Sequence, residues 1–249
     1  RARALHRTMA LGELSVANIA AVLGKAEFRD KFARMFQFMA LALTGLAAVA
    51  KPVKGTPVHS LGRTAWHMFF HIALSRRSHR MFKGFIFHDR LRKSLQTLND
   101  PVDKALEILS VAFLQVFFLI DHYAWFKQTK VLPTHSWIDD GAERSMRKAR
   151  GMQTVYYGVR FFFASSVVST LCNVKKLMDL HKEPAYEDEK RARDWRARRR
   201  ACVKSALKFA MRVFETAHIS KLCETHDLPV GISGVISSAM DSLGQWPAA

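Results

Sequence analysis

Along almost the whole chain apolar residues recur at helical spacing, β-branched runs are few, and only 7 prolines punctuate the pattern. Residues 12–50 predict one or two helices, leading from an amphipathic stretch into the apolar run Phe38 to Ala50 and broken at Lys51-Pro52. A connection carrying Gly55 and Pro57 precedes a helix predicted over about 60–98, which ends at Asn99-Asp100-Pro101. Pro101 opens the next helix, through Leu106 to Ile120 and stopping before Pro133. Another is predicted to start at Asp139-Asp140 and to run through Tyr156 to Ala164 as far as about Leu180. After Pro184 a charged segment leads into a long helix ending near Cys223, and the chain closes on a small, apolar, glycine-containing segment, Leu228 to Met240.

The stretch Lys25 to Phe38 separates its residues most sharply. An advance of about 100° per residue places Phe28, Phe32, Met35, Phe36 and Met39 on one stripe. Arg29 and Lys31 flank that stripe, and Asp30, Arg34 and Gln37 lie opposite. Such a helix can lie in the headgroup boundary of a membrane, its rings sinking toward the acyl chains while cationic stems reach phosphate. The same wheel also fits a surface helix packed on a protein core.

Crossing the hydrocarbon core takes about 20 mostly apolar residues. The run before Lys51 reaches that length only by including Arg34; the run 106–120 carries Glu107 and Gln115, and the run 155–172 contains Arg160. The terminal segment, about 228–246, comes nearest to spanning length and holds Asp241. These interruptions predict a mixture of interfacial helices with one or two short or tilted spans. Gly231 and Gly234, with Ser237 and Ser238, would let helices approach closely; the same residues also suit a soluble loop and cap.

Charge narrows the surroundings. The 249 residues include 39 Lys and Arg against 21 Asp and Glu, a net charge of +18, which favours polyanionic partners, either nucleic acid or anionic lipid. One basic cluster comprises Arg76, Arg77, Arg80, Lys83, Arg90, Arg92 and Lys93, opposed only by Asp89 and interleaved with Phe82, Phe85 and Phe87. The second, Lys190 to Arg200, follows the acidic Glu187 to Glu189 and reads best as a solvated helix with internal i,i+4 pairs. No RNA- or DNA-binding motif is present, and the aromatics sit in apolar helical runs, which ranks nucleic acid last.

Catalytic and metal signatures are lacking. Cys172, Cys202 and Cys223 have no paired spacing of a zinc or redox motif and read as reduced thiols. His67 and His71 stand at i,i+4, half of a metal site, among Met68, Phe69 and Phe70, where packed or interfacial histidines are the default. No phosphate-binding glycine loop, nucleophile elbow or dinucleotide fingerprint occurs, so neither an enzyme nor a cofactor is expected. The start, Arg1 to Arg7, is Arg-rich with no acid before Glu13, compatible with a cut boundary or the remainder of a processed targeting sequence.

The opening stretch also resembles the N-terminal signature of the peroxisomal biogenesis factor 11 family, a Gly-Arg-Asp-Lys run followed by a spaced Arg and by Gln plus an aromatic. Arg29, Asp30, Lys31, Arg34, Gln37 and Phe38 match, and Phe28 replaces the usual glycine. Ser75 to Lys83 resembles the family's Ser- and Arg-rich second segment, Asp121 to Trp125 its Asp-x-x-x-Trp segment, and Gly231 to Ser238 with Trp246 its glycine and serine tail. The resemblance spans about 25–246. It implies helical organelle-membrane proteins whose amphipathic N-terminal helix inserts into one leaflet, which self-associate, help recruit division machinery, and in some cases are proposed to pass small metabolites. Carried onto this sequence, the inserting role falls on Phe28, Arg29, Lys31, Phe32, Arg34 and Phe36.

The expected fold is all-α: a membrane-associated helical bundle with amphipathic interfacial helices and short or tilted transmembrane helices. It forms one domain over 1–249, with an N-terminal extension at 1–24 and a charged loop or helix start at 184–200. The expected lipid contacts are Phe28, Arg29, Lys31, Phe32, Arg34 and Phe36, with Arg76, Arg77, Arg80 and Lys83; helix packing falls to Gly231, Gly234, Ser237 and Ser238. Expected partners are anionic phospholipids and either further copies of the chain or other subunits of a membrane complex, with no nucleic acid. The expected place is a peroxisomal (glycosomal) membrane. The alternative is an accessory, lipid-contacting subunit of a mitochondrial inner-membrane assembly such as a respiratory complex, favoured by the Arg-rich start.

Overall fold

The structure is a computed structural model and describes residues 26–81, 83–129, 131, 151–183 and 188–244. Seven α-helices make up the ordered elements among these residues: α1 (Ala26–Val49), α2 (Pro57–His79), α3 (Lys83–Thr97), α4 (Pro101–Gln128), α5 (Met152–Lys182), α6 (Glu189–Ile219) and α7 (Asp227–Leu243). Residues 12–25, the expected helix start at Asp139-Asp140, Pro133, Phe82 and Trp246 lie outside the described residues.

Proline and polar caps set the boundaries where the sequence places them. Thr56 Oγ1 accepts from the His59 amide at 3.4 Å ahead of Pro57, and Asp100 Oδ1 accepts from the Val102 amide at 2.8 Å ahead of Pro101. Asp188 caps α6 in the same way, accepting from Lys190. The single helix expected over 60–98 is instead two, because the chain turns at Arg80, where φ is −100° and ψ is 0°. That turn lets Arg80 and Lys83 both approach Asp30.

Packing runs around a closed circuit. Helix α1 lies between α7 and α2; α7 touches α6, α6 packs on α5, α5 on α4, and α4 returns to α2, with α3 against α4. One core collects Phe38, Ala40, Leu41, Phe69 and Val230, with Trp66, Ile219 and Val235 against it. A second collects Ala124, Met152 and Val155. Helices α1 and α7 cross on small residues: a Cβ at Gly231 would fall on the Ala42 backbone, one at Gly45 on the Leu228 backbone, and one at Gly234 on the Phe38 ring.

Among the described residues three helices are long and apolar enough to cross a membrane: Glu27–Val49, Pro101–Gln128 and Met152–Lys182. They differ from the sequence expectation, which favoured the terminal segment. Helix α7 has 17 residues, about 26 Å of rise, and its small residues are spent against α1. The charges that seemed to interrupt the earlier runs do not disqualify them, because Arg34 turns inward and Arg160 lies 5.0 Å over the Tyr157 ring.

Candidate membrane-facing surface and its buried charge network

Helix α1 has an inverted distribution of polarity. Phe32, Phe36, Met39, Leu43, Leu46 and Val49 are exposed, Leu46 at 55% and Val49 at 59%, whereas Asp30, Arg34 and Gln37 are buried at 6% or less. A helix packed on an aqueous protein would do the reverse. Exposed Leu119 of α4 and Leu171 and Met178 of α5 extend the outward apolar surface. In water such a surface is costly, whereas in a bilayer every lipid-facing position selects it.

The inward face of α1 feeds two clusters of ion pairs. On one side Arg34 pairs with Glu215 of α6 at 2.5 Å, and Glu215, fully buried, also accepts from Ser237 Oγ of α7 at 2.7 Å. Asp241 of α7 gathers Lys31 at 3.5 Å, Lys208 at 3.1 Å and Arg212. Burial alone would raise the Asp241 carboxyl, but Arg212, Lys31, Lys208 and Arg34 outweigh it and hold the group well below the usual carboxylate range. On the other side Asp30 accepts from Arg76 Nε at 3.0 Å and Lys83 Nζ at 3.2 Å, and Arg76 also donates to Gln37. Asp121 of α4 accepts from Arg77 at 2.9 Å and faces Arg80 at 3.5 Å, and Arg77 also donates to Gln128. Helices α7, α6, α1, α2 and α4 are thereby tied through charge.

The sequence expectation thus divides. Phe32, Phe36 and Arg29 face outward, where lipid contact is open to them. Phe28 is 5% exposed and stacks on Phe32 at 5.7 Å, so it packs inside. Arg34, Arg76 and Arg77, expected at phosphate, are instead buried in the ion pairs above, and Lys31, Arg80 and Lys83 are half-buried beside the same carboxylates. The reason is that a desolvated cation needs a fixed counter-charge, and Asp30, Asp121, Glu215 and Asp241 supply it. Gly231, Gly234, Ser237 and Ser238 are all buried on α7. Sequence reasoning missed Glu215 and Arg212; the available signal was one carboxylate inside the apolar run Phe209 to Ala217, on a helix whose remaining charge sits earlier. Among the described residues no group of three or more His, Cys, Asp or Glu is placed to hold a metal, and His67 and His71 stack on one another at 6.4 Å between centroids.

A protein-family model described as peroxisomal biogenesis factor 11 matches residues 16–246, nearly the whole chain. The chain belongs to the peroxisomal biogenesis factor 11 family. No curated protein and no solved structure gave a match. As a member of that family the chain is a peroxisomal membrane protein involved in organelle biogenesis, and nothing in the comparisons supports the mitochondrial alternative. The four segments that carry the peroxisomal biogenesis factor 11 resemblance meet in space. The first supplies Asp30, Arg34 and Gln37, the second Arg76, Arg77, Arg80 and Lys83, the third Asp121, and the fourth Ser237 together with the glycines on which α7 approaches α1.

Proposed function

We propose that this protein is a non-catalytic component of the peroxisomal membrane that embeds apolar helix faces to shape, elongate or organise that membrane. The observation that carries the reading is the outward stripe of α1, Phe32, Phe36, Met39, Leu43 and Leu46, exposed while the polar residues of the same helix are satisfied inside. Ion pairing holds α1 by its polar side and leaves the aromatic side for lipid, so insertion requires no unfolding of the bundle. Wedging such a face into one leaflet adds area to that leaflet and favours curvature. Anionic phospholipid supports the contact through Arg29 and the exposed basic surface of α6, and further copies of the chain add to it by meeting along the same apolar faces.

The test is vesicle binding and deformation by the full chain. Phe32→Glu with Phe36→Glu is expected to abolish binding to vesicles of phosphatidylcholine with anionic phospholipid and to abolish their elongation, while helical circular dichroism is retained. Unchanged binding would sink the reading.

A further inference from the structure

Where α5 ends and α6 begins, the two antiparallel helices leave a groove of about 420 Å³ away from α1 and its ion pairs. Its floor is apolar, with Leu180, Met178 and Val203; its rim carries Arg199 and Lys182, the latter exposed and 3.6 Å from Asp179; Trp195 stands between them. Trp195 Nε1 donates to the Leu180 carbonyl at 2.9 Å, which fixes the ring, and the Arg199 guanidinium lies 5.8 Å over it. Arg199 has no carboxylate partner among the described residues, in contrast to Arg198, which is held by Glu183 through two bonds of 3.0 and 2.8 Å.

We infer that this groove holds an anionic phospholipid, its phosphate between Lys182 and Arg199 and one acyl chain along Met178 and Val203. The inference rests on reading the chain as a membrane protein, but not on insertion of α1. Three observations converge on lipid. The groove sits at the end of a helix long and apolar enough to span, where a headgroup would lie. Trp195, with an apolar ring and a polar edge, is the residue type that marks that level. The apolar floor also continues away from the rim. Exposed Leu171 and Val174 precede Met178 on one stripe of α5, and exposed Leu207 follows Val203 on α6, so both stripes lead in the same direction away from the end of α5 and the start of α6. Residues 189–200 carry seven cations and two carboxylates, and Glu183 takes up Arg198, which leaves a cationic excess that attracts anionic over zwitterionic headgroups.

Native mass spectrometry of the full chain in mild detergent, given equal phosphatidylglycerol and phosphatidylcholine with matched acyl chains, tests this. Retention of phosphatidylglycerol at about tenfold over phosphatidylcholine is expected. Lys182→Glu with Arg199→Glu should remove that preference, whereas Arg191→Glu with Arg196→Glu, the same charge change outside the groove, should keep it. Val203→Trp leaves every charge in place, fills the floor and should also lose the lipid, which keeps the test decisive if the charge reversal fails to fold. Equal loss in the control pair, no loss in either groove variant, or displacement of the lipid by soluble glycerol phosphate would overturn the inference. Phe32→Glu with Phe36→Glu should retain this lipid, so failure here and failure of α1 insertion are separable.

Discussion

The α1–α7 contact and the α4–α5 contact are both long helix pairings, yet they are held by different chemistry. Between α1 and α7, with α6 behind them, backbone approaches backbone at Gly231 and Gly45, and the polar side chains meet as ion pairs, Arg34 with Glu215 and Lys31 with Asp241. Between α4 and α5 the contact is made by rings and hydroxyls. Phe117 stacks on Phe162 at 4.9 Å, while Ser110 lies 2.8 Å from Ser169 Oγ and accepts at its carbonyl from Ser165 Oγ at 2.9 Å. The difference separates fixing from packing. A buried ion pair tolerates no missing partner, so α1 is fixed in rotation with its aromatic face outward; serines and rings permit small adjustments.

The sharpest way to break that contrast is to remove one charge. Glu215→Leu takes from Arg34 its nearest carboxylate, leaving Asp241 at 3.9 Å, and should cost about 3 kcal/mol of stability by thermal unfolding in detergent, most of it returned by adding Arg34→Leu. Gly231→Val forces a side chain onto the Ala42 backbone and should cost about 1–3 kcal/mol, whereas Gly244→Ala, where an added Cβ meets nothing closer than 3.5 Å, should change little. Ser110→Ala, on the other pairing, should cost only about 0.6 kcal/mol, since an interhelical hydroxyl contact is individually weak. The contribution of Asp241 is read through its pH dependence. Its carboxyl is held below its unfolded value near 3.9, so the stabilisation is fully present above that pH and is lost as pH falls further, through the lowered folded value. Asp241→Asn should therefore flatten the decline of melting temperature below about pH 4.

These residues also show how far the sequence carries. The helix start at Pro101 was legible because proline and a side-chain cap act locally, as was the two-sided character of α1, whereas the start at Pro57 was placed in the preceding connection. The direction in which α1 faces was only half legible. Its aromatic stripe does face outward at Phe32 and Phe36, but Phe28 turns in, and Arg34 meets a carboxylate 181 positions away that no local pattern announces. The same long-range pairing hid one of the candidate spans. Arg34 lowered the apparent hydropathy of its run, although a single polar residue is tolerated in a spanning helix when a neighbouring element faces it. The terminal segment was overrated for the opposite reason: glycine and serine read as apolar length, when their work is close approach to α1.

Spin-label accessibility reads whether α1 turns its aromatic stripe to lipid and its charges to protein. Single nitroxides placed along α1 in the full chain, reconstituted in phosphatidylcholine and phosphatidylglycerol vesicles with the native cysteines replaced, would report collision with oxygen and with a water-soluble nickel complex. High oxygen and low nickel accessibility at positions 32, 36, 39, 43 and 46, with both low at 34, 38 and 41, is the predicted result. Uniform accessibility along the helix, or nickel collisions strongest at 32 and 36, would contradict it.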